Sequence, residues 1–207
     1  MYDDEFELTF DLSDADEASR APAQEQEPVQ EAAPEPAAET EPAAETEPPV
    51  EAVPELAAPA ANGRCVLISG GDRGIGAAAA RAFWQAGYRV AVLYHTHAEA
   101  AAALEKALPG LLAVQCDVAS RASCEVAFHT VEQAVGHVDV LVSNAGIAQQ
   151  KLFTDITPEE WQHMLDVNLS GAFHLCQLAL PGMIRRKAGR ILTVSSMWGQ
   201  TGGSCEV

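Results

Sequence analysis

Eight residues, Ser69-Gly70-Gly71-Asp72-Arg73-Gly74-Ile75-Gly76, place glycines at the spacing that brings backbone N–H groups against a phosphate. Gly70 and Gly74 let the chain turn and approach an anion with no Cβ in the way. Gly76 lets a following helix pack closely on the preceding strand. The first N–H groups of that helix then face the anion without an intrahelical partner. A glycine-rich turn between two core elements would carry the same letters. The flanks favour the nucleotide-binding reading, because an apolar run, Cys65-Val66-Leu67-Ile68, precedes the turn and an Ala-rich helical pattern follows it. Other apolar runs also end in polar residues. Asp117 follows one, Asn144-Ala145-Gly146 a second and Ser195-Ser196 a third, a sorting that scattered polar residues would not produce.

Those residues need a scaffold that lines strand ends along one edge. The chain predicts strand 1 over Cys65–Ser69 and a helix from Gly74 to about Ala86 that buries Ile75, Ala79, Phe83 and Trp84. Strand 2 spans Tyr88–Tyr94, an Ala-rich helix His97–Leu108, strand 3 Leu111–Cys116, and a helix about Ser120–Val135. Strand 4 is Val138–Ser143. Thr157-Pro158-Glu159-Glu160 is a capping box with proline at the first helical position. A long helix carries Leu169–Arg186, and strand 5 is Arg190–Val194. Strands 1, 4 and 5 are nearly all apolar instead of alternating, as parallel strands covered on both faces should be. The expected fold is α/β, a doubly wound parallel sheet of about five strands with its ligand at their carboxyl ends.

Charge divides the 207 residues in two. Of the 30 acidic residues, eighteen lie in residues 1–60 with one basic residue, Arg20; the net charge of -18 thus leaves only -1 for residues 61–207. Residues 21–60 are mostly Pro, Ala, Glu and Thr, with Glu35–Thr40 repeated at once as Glu41–Thr46. Such a segment has too little apolar side chain to offset its ordering entropy, so residues 1–62 are expected to be a disordered acidic tail. Phe6, Leu8, Phe10 and Leu12 alternate with polar residues, which fits either a short docking strand or a solvated acidic tail. No signal peptide fits the acidic start, and no stretch is apolar enough to span a membrane. The tail also argues against nucleic acid and anionic membrane as partners. Residues 63–207 form one expected domain, large enough to bury roughly 70% of its unfolded surface. Cys65, Cys116, Cys124, Cys176 and Cys205 match no zinc spacing and are expected to be reduced thiols of a cytoplasmic protein, Cys205 alone having a site-like neighbourhood.

Together these motifs resemble the short-chain dehydrogenases/reductases over residues 64–207. The family's T-G-x-x-x-G-x-G appears with Ser69 for Thr, its N-N-A-G as Ser143-Asn144-Ala145-Gly146, and its strand 3 aspartate as Asp117. Its helical asparagine matches Asn168 and its catalytic serine Ser196. The Ser195–Val207 run is similar to the 3-oxoacyl-[acyl-carrier-protein] reductase branch and, within it, to the elongation factor P 5-aminopentanone reductases. The resemblance implies a Rossmann-type fold and hydride transfer from a nicotinamide cofactor to a ketone, either a 3-oxoacyl thioester or a 5-aminopentanone-type lysine modification. Ser196 would hydrogen-bond the carbonyl oxygen, and Asn168 would kink its helix and hold a water in the proton relay. Cofactor contacts are expected from Gly70, Asp72, Arg73, Gly74, Ile75, Gly76, His95, Asp117, Val118, Asn144, Ala145 and Gly146. A homotetramer is implied for a full-length form.

NADP(H) is favoured over NAD(H). An NAD site wants a carboxylate near the end of strand 2, and no Asp or Glu occurs between Asp72 and Glu99. Tyr94-His95-Thr96-His97 ends that strand and Arg73 lies in the turn, so a 2′-phosphate meets donors and a cation. The family's catalytic Tyr and Lys would fall at positions 209 and 213, past Val207. The chain as given is therefore expected to be an inactive fragment, since loss of a general acid alone costs about 10² to 10⁴ in rate. A sheet ending at strand 5 would also leave Ile191, Leu192 and Val194 as an apolar edge. The alternative is a noncatalytic dinucleotide-binding or interaction protein that uses its acidic tail.

Overall fold

A computed structural model describes residues 62–202. The acidic tail, its Phe6-to-Leu12 alternation and the segment holding Cys205 lie outside the described residues. Five parallel strands form one sheet, β1 (Cys65–Ser69), β2 (Arg89–Tyr94), β3 (Leu112–Gln115), β4 (Val140–Ser143) and β5 (Arg190–Thr193), in the order β3-β2-β1-β4-β5. Between them run α1 (Gly74–Gln85), α2 (Ala98–Ala107), α3 (Arg121–Val135), α4 (Pro158–Leu165) and α5 (Gly171–Arg186), with a short α6 (Trp198–Thr201) after β5. Successive strands on each side of β1 need crossover helices, and these cover both faces.

The two faces are legible in β1. Cys65 and Leu67 point into one core with Leu93, Leu141, Phe128 from α3 and Leu175 from α5. Val66 and Ile68 point into the other with Val92, Val142, Ala80 and Trp84 from α1, and Leu104 from α2. All five β1 residues are buried, which is why the segment reads as a continuous apolar run. Ile68 lies in register with Val92 and Val142, so β1 is the centre of the sheet. Truncating a side chain of this kind costs about 2–5 kcal/mol.

Two expectations need correction. Ile75 is 67% exposed; α1 buries Gly76, Ala77, Ala80 and Trp84, while Ala79 and Phe83 only border the core. In an Ala-rich helix the apolar contrast is weak, and Trp84, whose Nε1 donates to the Pro109 carbonyl at 3.1 Å, sets the buried face. β5 is not covered as β1 and β4 are. It sits at the sheet edge with Leu192 48% and Val194 43% exposed, the apolar edge that was the other expectation for this strand, and among the described residues no strand pairs with its outer side.

At the other end of the sequence pattern, the capping box forms as expected. The Glu160 N–H donates to Thr157 Oγ1 and the Thr157 N–H to the Glu160 carboxylate. The Thr157 N–H bond, joined by Lys151 Nζ at 2.9 Å, holds the Glu160 carboxyl below its usual range. Between α4 and α5 the expected helix start at Leu169 is instead a π turn over Asp166–Ser170, which contains Asn168.

Candidate functional site

The carboxyl ends of β1 and β4 are joined through Ser69. Its hydroxyl oxygen, fully buried, accepts from the N–H groups of Asn144 and Ala145, each at 3.0 Å. Asn144 returns the connection, its Nδ2 donating to the carbonyls of Ser69 and Gly70 at 3.0 Å. The Gly71 N–H donates to Leu93 O, tying the turn to β2 as well. Gly70 and Gly74 have φ of 61° and 52°, which side-chain-bearing residues rarely adopt. At Gly76 a Cβ would lie 2.0 Å from the Gly70 carbonyl oxygen, so the helix can start this close only without one. No side chain caps α1 and its first turn holds no acid, which leaves its leading N–H groups for an anion.

In front of this turn lies a cleft of about 380 Å³. Gly70, Asp72, Arg73, Gly74 and Ile75 form one wall, His95 a second, and Asp117 with Val118 a third; Asn144, Ala145 and Gly146 close it. The exposure of Ile75 follows from that position. Gly76 stands behind the wall. Asn168 and Ser196 do not line the cleft. Asn168 acts on its rim, where its Oδ1 accepts from the Ile147 N–H at 2.8 Å and its Nδ2 donates to Ile147 O at 2.9 Å. Ser196 lies past the end of β5, where its Oγ accepts from the Trp198 N–H at 3.3 Å, a bond that does not use its own proton.

Other wall residues go beyond the expected set, although His97 stood within the Tyr94–His97 strand end. His97, from the link between β2 and α2, accepts at Nε2 from Arg73 Nη1 at 3.3 Å. A guanidinium only donates, so the neutral ring carries its proton on Nδ1, which lies 3.3 Å from Thr96 Oγ1 and 3.6 Å from Asp72 Oδ2. An acid therefore stands closer to this end than the gap between Asp72 and Glu99 suggests. Its side chain is only 6% exposed and faces His97. His163 and Val167 reach the cleft from α4 and the π turn, and Ile147 from the loop after β4.

A dinucleotide fits these residues. The missing Cβ at Gly74 meets no atom within 4 Å, the uncapped α1 terminus suits a pyrophosphate, and Arg73, His95 and Thr96 offer donors beside β2.

Comparison with known proteins agrees with this geometry. A family model described as short chain dehydrogenase matches residues 64–207. An acetoacetyl-CoA reductase from Shinella zoogloeoides is 40% identical over 139 residues, 67% of this chain and 57% of that protein. The 3-oxoacyl-[acyl-carrier-protein] reductase MabA of Mycobacterium avium is 40% identical over 144 residues, covering 68% of this chain and 53% of its own. The crystal structure of gox2181 superposes with a TM-score of 0.64 at 32% identity, over 70% of this chain and 58% of that one. The chain spans a little over half the length of the curated relatives it matches.

Proposed function

Since the chain belongs to the short chain dehydrogenase family, we propose that it is the nucleotide-binding part of an NADP(H)-dependent reductase that acts on a ketone of a 3-oxoacyl thioester. The observation that carries this reading is the cleft itself: an anion-ready helix terminus and a glycine turn at the centre of the sheet, with Arg73, His95 and Thr96 beside the end of β2 and the nearby Asp72 carboxylate turned to His97. The relatives named for acetoacetyl-CoA and for 3-oxoacyl-[acyl-carrier-protein] support a thioester-linked ketone over a modified lysine.

When bound, the cofactor supplies hydride to the carbonyl carbon. The chain's own residues bind and orient. Arg73, His95 and Thr96 recognise the 2′-phosphate, Asp117 and Val118 hold the adenine, and Asn144 to Gly146 form the floor. Ser196 donates a hydrogen bond to the carbonyl oxygen as negative charge develops there, and keeps its proton. Asn168 fixes the rim at Ile147 and keeps a water in the proton relay. The family resemblance implies that a tyrosine acid and a lysine act beside them. We place the protein in the cytoplasm. An apolar stripe of Leu169, Phe173, Leu180 and Ile184, all exposed, favours self-association of a full-length form as a homotetramer.

Fluorescence titration with NADPH and NADH tests the reading. NADPH is expected to bind at least about tenfold more tightly, with the difference lost in R73A. Equal binding of both cofactors refutes the 2′-phosphate assignment, and no binding of either refutes the nucleotide site. Turnover of acetoacetyl-CoA by the complete gene product, against a 5-aminopentanone-type ketone, decides the substrate.

A further inference from the structure

Cys116 and Cys124 are not used by the proposed reduction. Cys116 follows β3 and forms part of the cleft wall; Cys124 is in the first turns of α3. Their sulfurs lie 4.0 Å apart in the core, and the link between the two residues contains Asp117 and Val118, the adenine wall. Among the described residues no third His, Cys, Asp or Glu joins them in a metal-binding group. We propose that Cys116 and Cys124 are a two-electron oxidation site, which a peroxide converts to an intramolecular disulfide that disturbs the adenine wall and weakens nucleotide binding. The second half rests on the nucleotide reading of the cleft.

The environment divides the roles. Hydrogen bonding with Cys124 draws the Cys116 thiol below its ordinary value, opposed by burial and assisted by Ser123, whose Oγ lies 3.7 Å away. The same hydrogen bond and burial push the Cys124 thiol up, so Cys124 keeps its proton. Cys116 is then the attacking sulfur and Cys124 the resolving one. The Cys116 thiolate forms an S–O bond as the peroxide O–O bond breaks, giving a sulfenic acid and, after protonation, water. Cys124 then attacks that sulfur, the S–S bond forms as S–O breaks, and a second water leaves with the Cys124 proton. The dithiol is oxidised by two electrons and the peroxide is reduced to two waters.

A disulfide bond is about 2.05 Å long, so the sulfurs must close by about 2 Å. That movement acts on a connected set. The Cys124 S–H donates to the Val118 carbonyl at 3.5 Å, a bond that disappears in a disulfide. The Asp117 N–H donates to Ser123 Oγ at 3.0 Å, next to the moving residue.

The test treats the full chain with hydrogen peroxide, blocks remaining thiols with N-ethylmaleimide, and reads intact mass, cross-linked peptides and NADPH affinity. The expected product is two hydrogens lighter, carries a Cys116–Cys124 peptide and binds NADPH about fivefold or more weakly, with dithiothreitol restoring both properties. C124A is expected to form no such link and to bind NADPH equally with and without peroxide, whatever its starting affinity; C116S is a second variant in case the first fails to fold. Alkylation of both cysteines while Cys176 or Cys205 oxidises overturns the proposal, as does a link with unchanged affinity. A protein that forms the link yet never binds NADPH when reduced supports the oxidation site and refutes the nucleotide reading.

Discussion

Ser69→Ala isolates the junction on which the cleft depends. The substitution removes one oxygen from a fully buried position and leaves the methylene in place, so almost no packing is lost. What is lost is the acceptor for two N–H groups, those of Asn144 and Ala145, at 3.0 Å each. A neutral hydrogen bond contributes about 1 kcal/mol net, and a buried donor left without an acceptor costs about 1–3 kcal/mol. Both residues are half-buried and border the cleft, so water reaches them in part and the low end applies. The expected destabilisation is about 2–3 kcal/mol, since the Asn144 side chain still holds the carbonyls of Ser69 and Gly70. Urea unfolding of the full chain measures it as a shift in midpoint with an unchanged slope. Ser69→Thr keeps the hydroxyl and is expected to recover most of the loss. An S69A protein within about 0.5 kcal/mol of the parent refutes the reasoning, because it means that the two N–H groups find other acceptors at no cost.

Gly76→Ala drives a Cβ to 2.0 Å from the Gly70 carbonyl oxygen and 2.7 Å from Asn144 Nδ2; a loss of about 3 kcal/mol or more is expected in the same unfolding assay. Gly74→Ala meets no atom within 4 Å and pays only for its positive φ, about 1–2 kcal/mol, so a larger effect at position 74 than at 76 would contradict the packing argument. Asn168→Ala releases both main-chain groups of Ile147 on the exposed rim, and is expected to lower Tm by about 3 °C and to speed amide hydrogen exchange at Ile147. The Glu160 carboxyl is held below its ordinary value of 4.5, so its contribution is complete above that pH and is lost as pH falls through the folded value. Glu160→Gln should therefore separate from the parent in thermal melts well above pH 4.5 and converge with it in acid; a constant gap at every pH counts against the carboxylate's role.

The elements were legible where one residue type dominates a short stretch. The apolar runs of β1 and β4 gave their positions because both faces are covered, and Thr157-Pro158-Glu159-Glu160 specified a helix start by local bonds alone. The buried face of α1 was not legible, since four successive alanines carry no preference for a side and the decision falls to Trp84 packing across the sheet. β5 drew two readings: its apolar run looks the same whether a strand is covered on both faces or lies at an edge, and the expectation of an apolar edge at Leu192 and Val194 is the one that holds. In the cleft, residues next to a turn or a strand end were identifiable. His163 was not, because it arrives from α4, far along the chain, and no spacing links it to residues 70–97. His97 lay in view within Tyr94–His97, but its choice between Arg73 and Asp72 depends on a fold-level approach.

Asn144 and Asn168 show why the cleft takes its form. Loops that leave the carboxyl edge of a parallel sheet can no longer pair with the ladder, yet their main-chain groups remain half-buried and need partners. A side-chain amide answers this economically, because it offers a donor and an acceptor from one planar group. Asn144 uses its donor on the carbonyls of the β1 turn, and Asn168 uses both ends on Ile147, the residue after Gly146. The π turn at Asp166–Ser170 belongs to the same solution, since Asn168 lies within it. These bonds leave the uncapped N–H groups of α1 as the prominent main-chain donors without a side-chain partner around the cleft. The polar residues of the edge thus satisfy the loops while leaving the helix terminus to an anion, which is the arrangement a pyrophosphate requires.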